Sequence, residues 1–422
     1  MTAYHEFTLN DAIDFARRHY RGFAAGAALS AEEVGDGNLN RVFRVSDPQG
    51  QGVIVKQALP YIRCIGEGWP LTRQRAAREA RVLLRHGELS PHGTLALLHH
   101  DDTLSALLLE DLSHWQLWRR ALLETDEPES VATALGQHLA RVLYGTSDFQ
   151  VPSAIKRAEV VRLANPELCA TTDTVFFHDP YRPGERNRVP PGLESDAAAL
   201  WRDRELKHRV AHLRLRFQCN AEALLHGDLH TGSVFVREGE CRVFDAEFGF
   251  YGPMGFDMGL VMANLLLNFC AQSGWRDAGA AEAARFARVE ELRRLWKAFS
   301  EDFLARARTT SAPLLGEPGV AGEWVQQVWR DSLGFAGTEM IRRTIGIAHV
   351  ADLDDIADPA QRQDCQRQAL WLGRRLILEA ATLSPVSLCG ELRRLAAGEP
   401  VSGNGDQGMD SLPRGAWKRV RR

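Results

Sequence analysis

Residues 224–257, LLHGDLHTGSVFVREGECRVFDAEFGFYGPMGFD, constrain the fold more than any other stretch of the chain. Two short apolar runs, LLH and CRVF, are bounded by turn residues and read as buried strand pieces. Around them stand His226, Asp228, Ser233, Asp245 and Glu247. The chain must therefore fold so that a small hairpin-like scaffold sets one carboxylate, Asp228, beside a pair, Asp245 and Glu247. Asp228 comes after the first run and is expected to be braced by His226 and the turn at Gly227.

Composition narrows what surrounds this scaffold. At 422 residues the chain exceeds the size at which a single core stops growing, so two lobes are expected. A hydrophobic share of 45%, a charged share of 25% and a net charge of -4 describe an ordinary globular protein, which argues against general polyanion binding and hence against a nucleic-acid partner. The seven cysteines, Cys64, Cys169, Cys219, Cys241, Cys270, Cys365 and Cys389, are scattered and show no CxxC spacing, and read as buried thiols in a reducing cytosol. The N-terminal residues carry early acids and no signal-peptide core. The longest apolar stretch, residues 259–271, contains Asn264 and Asn268 and is too short to span a bilayer. It reads as a buried core helix, and the protein as cytoplasmic with no membrane partner.

Taken in order, residues 8–20 begin with Thr8 and Asp11 ahead of an apolar helical pattern, a capping-box variant on a helix that covers the strands after it. The segments 42–45 and 53–55, which alternate or run apolar, flank the turn DPQGQG and predict a β-hairpin. The preceding turn, with Gly35, Gly37, Asn38 and Asn40, suits backbone N–H groups laid against phosphate oxygens. Lys56 leaves the second strand where its ammonium would reach a nucleotide's phosphates, and Glu79, on the next helix, would hold it by an ion pair. Trp69 sits in an irregular loop between them and needs either a core or a flat ligand to cover its ring. A second hairpin around HDDT ends at Glu110, Asp111 and Leu112, whose backbone edge would face an adenine ring. The lobe boundary falls there, giving 1–112 as the nucleotide lobe, 113–400 as the catalytic and substrate lobe, and 401–422 as a disordered basic tail.

Beyond Leu112 the apolar period lengthens from two to between three and four. Helices are expected over 131–143, 196–217, a stretch ending at Leu225, 256–271, 280–307, 324–343 and 361–383, with 164–192 an ordered surface loop.

Asp228 is placed to orient a substrate hydroxyl and accept its proton late in phosphoryl transfer, where positioning and charge neutralisation supply most of the catalysis. Asp245 and Glu247, two apart on what reads as an extended segment, would point to one side and offer oxygen donors to Mg²⁺ carrying ATP phosphates. Arg342 and Arg343 close a helical run and, being adjacent, are not expected to share a helix face. One would steer the phosphoryl group while the other holds a sugar.

The sequence order of glycine turn, strand lysine, helix glutamate, connector, HGDLH loop and DAE segment resembles the protein-kinase-like fold in its small-molecule branch. That fold is α+β and bilobal, a small antiparallel sheet lobe beside a larger, mostly helical one. The HGDLH loop is similar to that of aminoglycoside phosphotransferases and choline kinases. Within the branch, GDGNLNRVFRV, HGDLHTGSVFV and DAEFGFYGPMGFDMG resemble the S-methyl-5-thioribose kinases of methionine salvage, with RCIGEGWPLTRQRA and GTEMIRRTIGIAHV in support. The resemblance implies an ATP- and Mg²⁺-dependent kinase of 5-methylthioribose that forms a homodimer. It makes Asp228 the catalytic aspartate, Asp245 and Glu247 the Mg²⁺ ligands and Lys56 the phosphate lysine. Asn40, Asp228, Arg342 and Arg343 would meet the substrate, with Arg362 or Arg367 as a further arginine. Ser233 stands where aminoglycoside kinases carry Asn, and DAE where many protein kinases read DFG; both departures argue against a protein kinase, while Ala246 in place of the proline of the family's DPE loosens one backbone restraint. The alternatives are a kinase of the same fold acting on an aminoglycoside, choline or homoserine, and a catalytically silent nucleotide-binding module.

Overall fold

Period-two alternation builds the first sheet. The computed structural model describes residues 3–34, 39–62, 66–125 and 130–399, with the backbone alone at 62 and 66–69. Helix α1 (Leu9–His19) precedes strands β1 (Ser30–Glu33), β2 (Asn40–Ser46) and β3 (Gly52–Ala58). A two-stranded ribbon, β4 (Tyr61–Ile62) and β5 (Gly66–Pro70), leads to α2 (Arg75–Leu89), β6 (Leu97–Asp101) and β7 (Ala106–Glu110). The antiparallel sheet runs β1-β2-β3-β7-β6. Its two faces derive from the alternation. Phe43, Val45, Val53, Val55, Ala106 and Leu108 lie under Phe7, Ala12, Phe15 and Ala16 of α1 and its lead-in. Leu107 and Leu109, on the other face, pack with Ala80, Val82 and Leu83 of α2. The Thr8–Asp11 capping box starts α1 as expected.

The remainder is mostly helical. In order come β8 (Gln116–Leu117), α3 (Trp118–Glu124), α4 (Ala132–Gly145), α5 (Ser153–Arg162), α6 (Pro166–Phe177), α7 (Glu194–Arg202), α8 (Arg204–Cys219) and β9 (Ala223–Leu224). Next are the hairpin β10 (Val234–Arg237) and β11 (Glu240–Val243), β12 (Tyr251–Gly252), α9 (Gly255–Trp275), α10 (Ala278–Ala307) and α11 (Val320–Ile345). Short α12 (Ala351–Asp354), α13 (Pro359–Leu378) and α14 (Pro385–Ala396) complete the chain. Helix α9 is mostly apolar and buried along almost its whole length, with α10, α11 and α13 packed on it. No helix among the described residues is long and apolar enough to cross a membrane.

Four expectations are corrected. The segment 164–192 contains helix α6, which starts at Asn165-Pro166 and buries Leu168, Val175, Phe176 and Phe177; its Thr and Phe are modest helix formers, and tertiary burial overrides that. The span 196–217 is two helices, because Asp203 leaves helical geometry and its carboxylate accepts the Leu206 N–H to cap α8. The stretch ending at Leu225 closes with strand β9, paired to Tyr251–Gly252. Helix α13 stops at Leu378, and the freed chain brings the Leu383 carbonyl to the Trp329 indole N–H at 2.7 Å. Of the cysteines, Cys241, Cys270, Cys365 and Cys389 are buried, Cys169 is half-buried and Cys219 is exposed; Cys64 lies outside the described residues.

Helix α11 carries Arg342 and Arg343, and its seat depends on a backbone contact with α13: a Cβ added at Gly337 would come 2.3 Å from the Gly373 carbonyl oxygen. Gly337→Ala should lower stability by about 1–3 kcal/mol through this overlap. In the same helix Gly322, with nothing near its missing Cβ, should accept alanine at no cost or with a gain. Denaturant unfolding midpoints of the two variants, read side by side, check this.

Candidate active site

The loop after β9 is held by its backbone. Gly227 has φ of +87°, and a Cβ there would lie 2.3 Å from the Phe248 carbonyl oxygen, so only glycine passes. The N–H groups of His226 and Gly227 donate to the buried Asp257 carboxylate at 2.7 and 2.9 Å. Asp257 sits in the first turn of α9, where the helix dipole favours an anion. The His226 Nδ1 accepts from the Asp228 N–H at 3.3 Å and its Nε2–H donates to the Phe244 carbonyl at 2.8 Å. One imidazole thus ties the residue before the turn to the chain just ahead of Asp245.

Asp228 is 28% exposed at its side chain and is ringed by positive or polar groups. The His230 Nδ1 accepts from the Gly232 N–H at 3.0 Å, so its proton sits on Nε2, 3.6 Å from Asp228 Oδ2. Arg343 and Arg342 approach Oδ1 at 3.7 and 3.9 Å. Burial alone would raise the Asp228 carboxyl, but His230 and the two guanidiniums outweigh it and hold the group well below the usual carboxylate range. Burial lowers His230 in turn, with Arg119 and Arg343 adding to the effect against the pull of Asp228. Asp228 is therefore ionised at neutral pH and open on one side.

The two arginines correct the expectation that neighbours on a helix diverge. Buried Glu339 accepts from both, Arg342 Nε at 2.8 Å and Arg343 Nε at 2.7 Å, and so turns both guanidiniums to the same carboxylate, Asp228. Arg342 also lies 4.1 Å over the Phe176 ring, and Arg343 donates to the Ala348 carbonyl at 2.8 Å. Glu339 carries a local signal that sequence reasoning passed over, an acid three and four residues before two arginines.

Across the cleft Lys56 is buried between Glu79, 2.8 Å away, and Asp245, which it also contacts. Burial would lower the ammonium; Asp245 and Glu79 outweigh it and keep it charged. Asp245 has φ of +69°, so the DAE segment is not extended, and its two acids part company. Asp245 is 43% exposed and its carboxyl is lowered by Lys56 against the effect of burial. Glu247, 3% exposed, accepts from Arg75 Nε at 2.9 Å and from Asn40 Nδ2 at 3.1 and 3.2 Å. Arg75 is fully buried and also donates to Asn40 Oδ1 and to the Leu39, Leu59 and Thr72 carbonyls. Both polar atoms of the Asn40 side chain are thus engaged by Glu247 and Arg75.

This distribution bears on the metal. Asp245, on the open side, fits a hard divalent cation that takes its remaining ligands from phosphates. Glu247 is occupied by Arg75 and Asn40, and among the described residues no three His, Cys, Asp or Glu side chains cluster as a complete metal site.

The other expected residues lie away from the Asp228 carboxylate or serve the frame around it. Gly35, Gly37 and Asn38 lie outside the described residues, as does the side chain of Trp69. The Glu110 carboxylate accepts from the Ala96 N–H at 2.7 Å. The Asp111 carboxylate is taken by Arg44 Nε at 2.7 Å and the Ser113 N–H at 2.9 Å, and the Leu112 carbonyl accepts from the Trp115 N–H at 2.8 Å. These side chains organise the connector, which leaves only main chain for a base. The Ser233 hydroxyl donates to the Asp228 carbonyl at 3.2 Å. Arg362 donates to the Asp354 and Ile356 carbonyls, and Arg367 pairs with Asp196 and the Gly192 carbonyl, so both are committed away from Asp228. The site includes residues that no spacing announced: Arg75, Asp257, and Arg119 with Asp352.

Known proteins share this chain's sequence to different depths. The model of the phosphotransferase enzyme family matches residues 30–299. Methylthioribose kinase of Yersinia pseudotuberculosis serotype IB (strain PB1/+) is 47% identical over 92% of this chain and 95% of its own. Methylthioribose kinase of Pectobacterium carotovorum subsp. carotovorum (strain PC1) is 48% identical over 94% of this chain and 100% of its own. The solved choline kinase from Cryptosporidium parvum Iowa II matches 92% of this chain and 98% of its own at a TM-score of 0.43 and 10% identity. With a family model covering more than half of it and near-half identity over almost its full length, the chain belongs to the phosphotransferase enzyme family and, within it, to the methylthioribose kinases.

Proposed function

We propose that this protein transfers the γ-phosphoryl group of MgATP to the 1-hydroxyl of S-methyl-5-thio-D-ribose, giving S-methyl-5-thio-α-D-ribose 1-phosphate in methionine salvage. The observation that carries the reading is an ionised, half-open Asp228 flanked by two arginines, opposite a buried Lys56 shared by Glu79 and Asp245. The similarity of the relatives named methylthioribose kinase supports the acceptor. In the reaction the bond from the γ-phosphorus to its bridging oxygen breaks, the bond from sugar O1 to phosphorus forms, and ADP leaves. Asp228 orients the 1-hydroxyl and takes its proton late; an anomeric hydroxyl is more acidic than an ordinary alcohol, so a weakly basic carboxylate suffices. Lys56 reaches the phosphates. Asp245 would hold Mg²⁺, with Glu247, which already accepts from Arg75 and Asn40, as the second oxygen donor. Bound there, the ion supplies charge neutralisation of the phosphate oxygens.

An acceptor bearing ammonium groups, such as an aminoglycoside or choline, would call for an acidic pocket, whereas arginines surround Asp228. We place the lobe boundary at Leu112, with 1–112 binding nucleotide and 113–400 binding substrate, and read the protein as a cytoplasmic homodimer without nucleic-acid or membrane partners.

Asp228→Asn should reduce turnover by about 10²–10⁴-fold while calorimetry finds nucleotide binding little changed; turnover within a few-fold of wild type would remove Asp228 as the base. Asp245→Asn should weaken Mg²⁺-dependent ATP binding by at least about 10–100-fold, and unchanged binding would move the metal elsewhere. ADP release measured in parallel with 5-methylthioribose, ribose, an aminoglycoside and choline should appear with the first alone. Turnover of a different acceptor would discard the substrate, and nucleotide binding without turnover of any acceptor would point to a silent module.

A further inference from the structure

Arg119 is a charged group at the catalytic loop that has no task in the phosphoryl transfer described for Asp228 and Lys56. It lies in the first turn of α3, just past the connector, and is mostly buried. Its Nη2 donates to Asn264 Oδ1 at 2.7 Å and its Nε lies 3.3 Å from Asp352 Oδ2. Asp352 is itself buried, and its other oxygen accepts from Asn268 Nδ2 at 2.8 Å. Two residues of α9 and one of α12 therefore determine where this guanidinium stands.

That anchoring leaves one edge toward the loop. A Cβ placed on Gly232 would come 3.1 Å from Arg119 Nη1, and α3 packs on the turn Thr231–Ser233 directly after His230. Among the described residues Nη1 has no hydrogen-bond acceptor, and Nε faces Asp352 as an ion pair without making a hydrogen bond, so Nη2 alone is hydrogen-bonded. Desolvating a guanidinium is costly, and a buried ion pair offsets that cost best when its donors are satisfied. A fixed cation with one bare N–H edge beside the catalytic loop is arranged for an anion that arrives from outside. The charges of Arg119 and Arg343 both reach His230, and that of Arg119 reaches Asp228. The free sugar is neutral. The anion formed on the acceptor side of Asp228 is the phosphoryl group after transfer.

We propose that Arg119 Nη1 donates to an oxygen of the transferred phosphoryl group, making with Arg342 and Arg343 a three-guanidinium cradle for the sugar phosphate. This rests on the kinase reading of the site and adds a phosphoryl-binding residue to it. Guanidinium is suited to the task because it keeps one edge for Asn264 and Asp352 while another meets phosphate, which a lysine ammonium does poorly.

The test compares wild type, Arg119→Ala and Arg119→Lys. Arg119→Ala should lower kcat about 10²-fold, the loss expected on removal of one donor to a developing anion. KM for ATP and for the unphosphorylated sugar should stay within about threefold, since the contact is absent from the ground state. Affinity for the sugar 1-phosphate, read by product inhibition and by calorimetry, should fall about 10–100-fold. Added guanidinium chloride should restore part of the kcat of Arg119→Ala, and Arg119→Lys should fall between the two. Unchanged kcat and product affinity would overturn the proposal, as would a loss spread over both KM values with no rescue. Should Arg119→Ala fail to fold, Arg119→Lys decides on the same readouts. If wild type turns over a different acceptor, the substrate assignment fails while Arg119 is judged on that acceptor's phosphate. If wild type turns over none, the kinase reading fails, and equal binding of the sugar phosphate by wild type and variant removes Arg119 with it.

Discussion

A buried cation must be paired, and this structure hangs on two such cations where the sheet lobe meets the helical one. Arg75 has no exposed surface and places its guanidinium between Glu247, Asn40 and three backbone carbonyls. Lys56 lies between Glu79 and Asp245. In water such pairs contribute little; with the charges out of water, removing one partner strands the other at a cost of several kcal/mol. The end of the glycine turn, the start of α2, the middle of the sheet and the DAE segment are therefore held in a single relative arrangement. In the proposed reaction, the groups facing nucleotide and acceptor would inherit their separation from it.

Around Asp228 the same logic is applied with hydrogen bonds. Asp257 takes two consecutive backbone N–H groups, His226 bridges the Asp228 N–H to the Phe244 carbonyl, and Gly227 supplies the left-handed turn between them. The Asp228 carboxylate then needs no support from its own side chain's flexibility, because its main chain is fixed at both ends. Glu339 does the corresponding work for Arg342 and Arg343, and Asp352 for Arg119. Each of these arginines is thus positioned by a buried acid. This arrangement lets several positive charges stand close together without driving one another apart.

Much of this was legible in the chain. The Thr8–Asp11 box, the two hairpins of the sheet and the mostly apolar α9 derive from caps, periods and residue types within a short window, and the Lys56–Glu79 pair from residue types on neighbouring elements. Helix α6 was not, because its Thr and Phe content argues for loop until the core that buries Phe176 and Phe177 is present. The break at Asp203 was missed because one capping carboxylate interrupts an otherwise continuous pattern.

By itself the sequence determined which side chains are available and their local frame: the HGDLH loop with Asp228, the DAE acids, the strand lysine and the paired arginines, since turns, caps and motif spacing depend on near neighbours. Only the tertiary structure decided how these charges are shared. It committed Glu247 and Asn40 to Arg75, turned both adjacent arginines to one carboxylate, and brought Arg119 to the catalytic loop through Asp352. Electrostatic partnership depends on distance and burial, and residues remote in sequence acquire both only when the chain is packed.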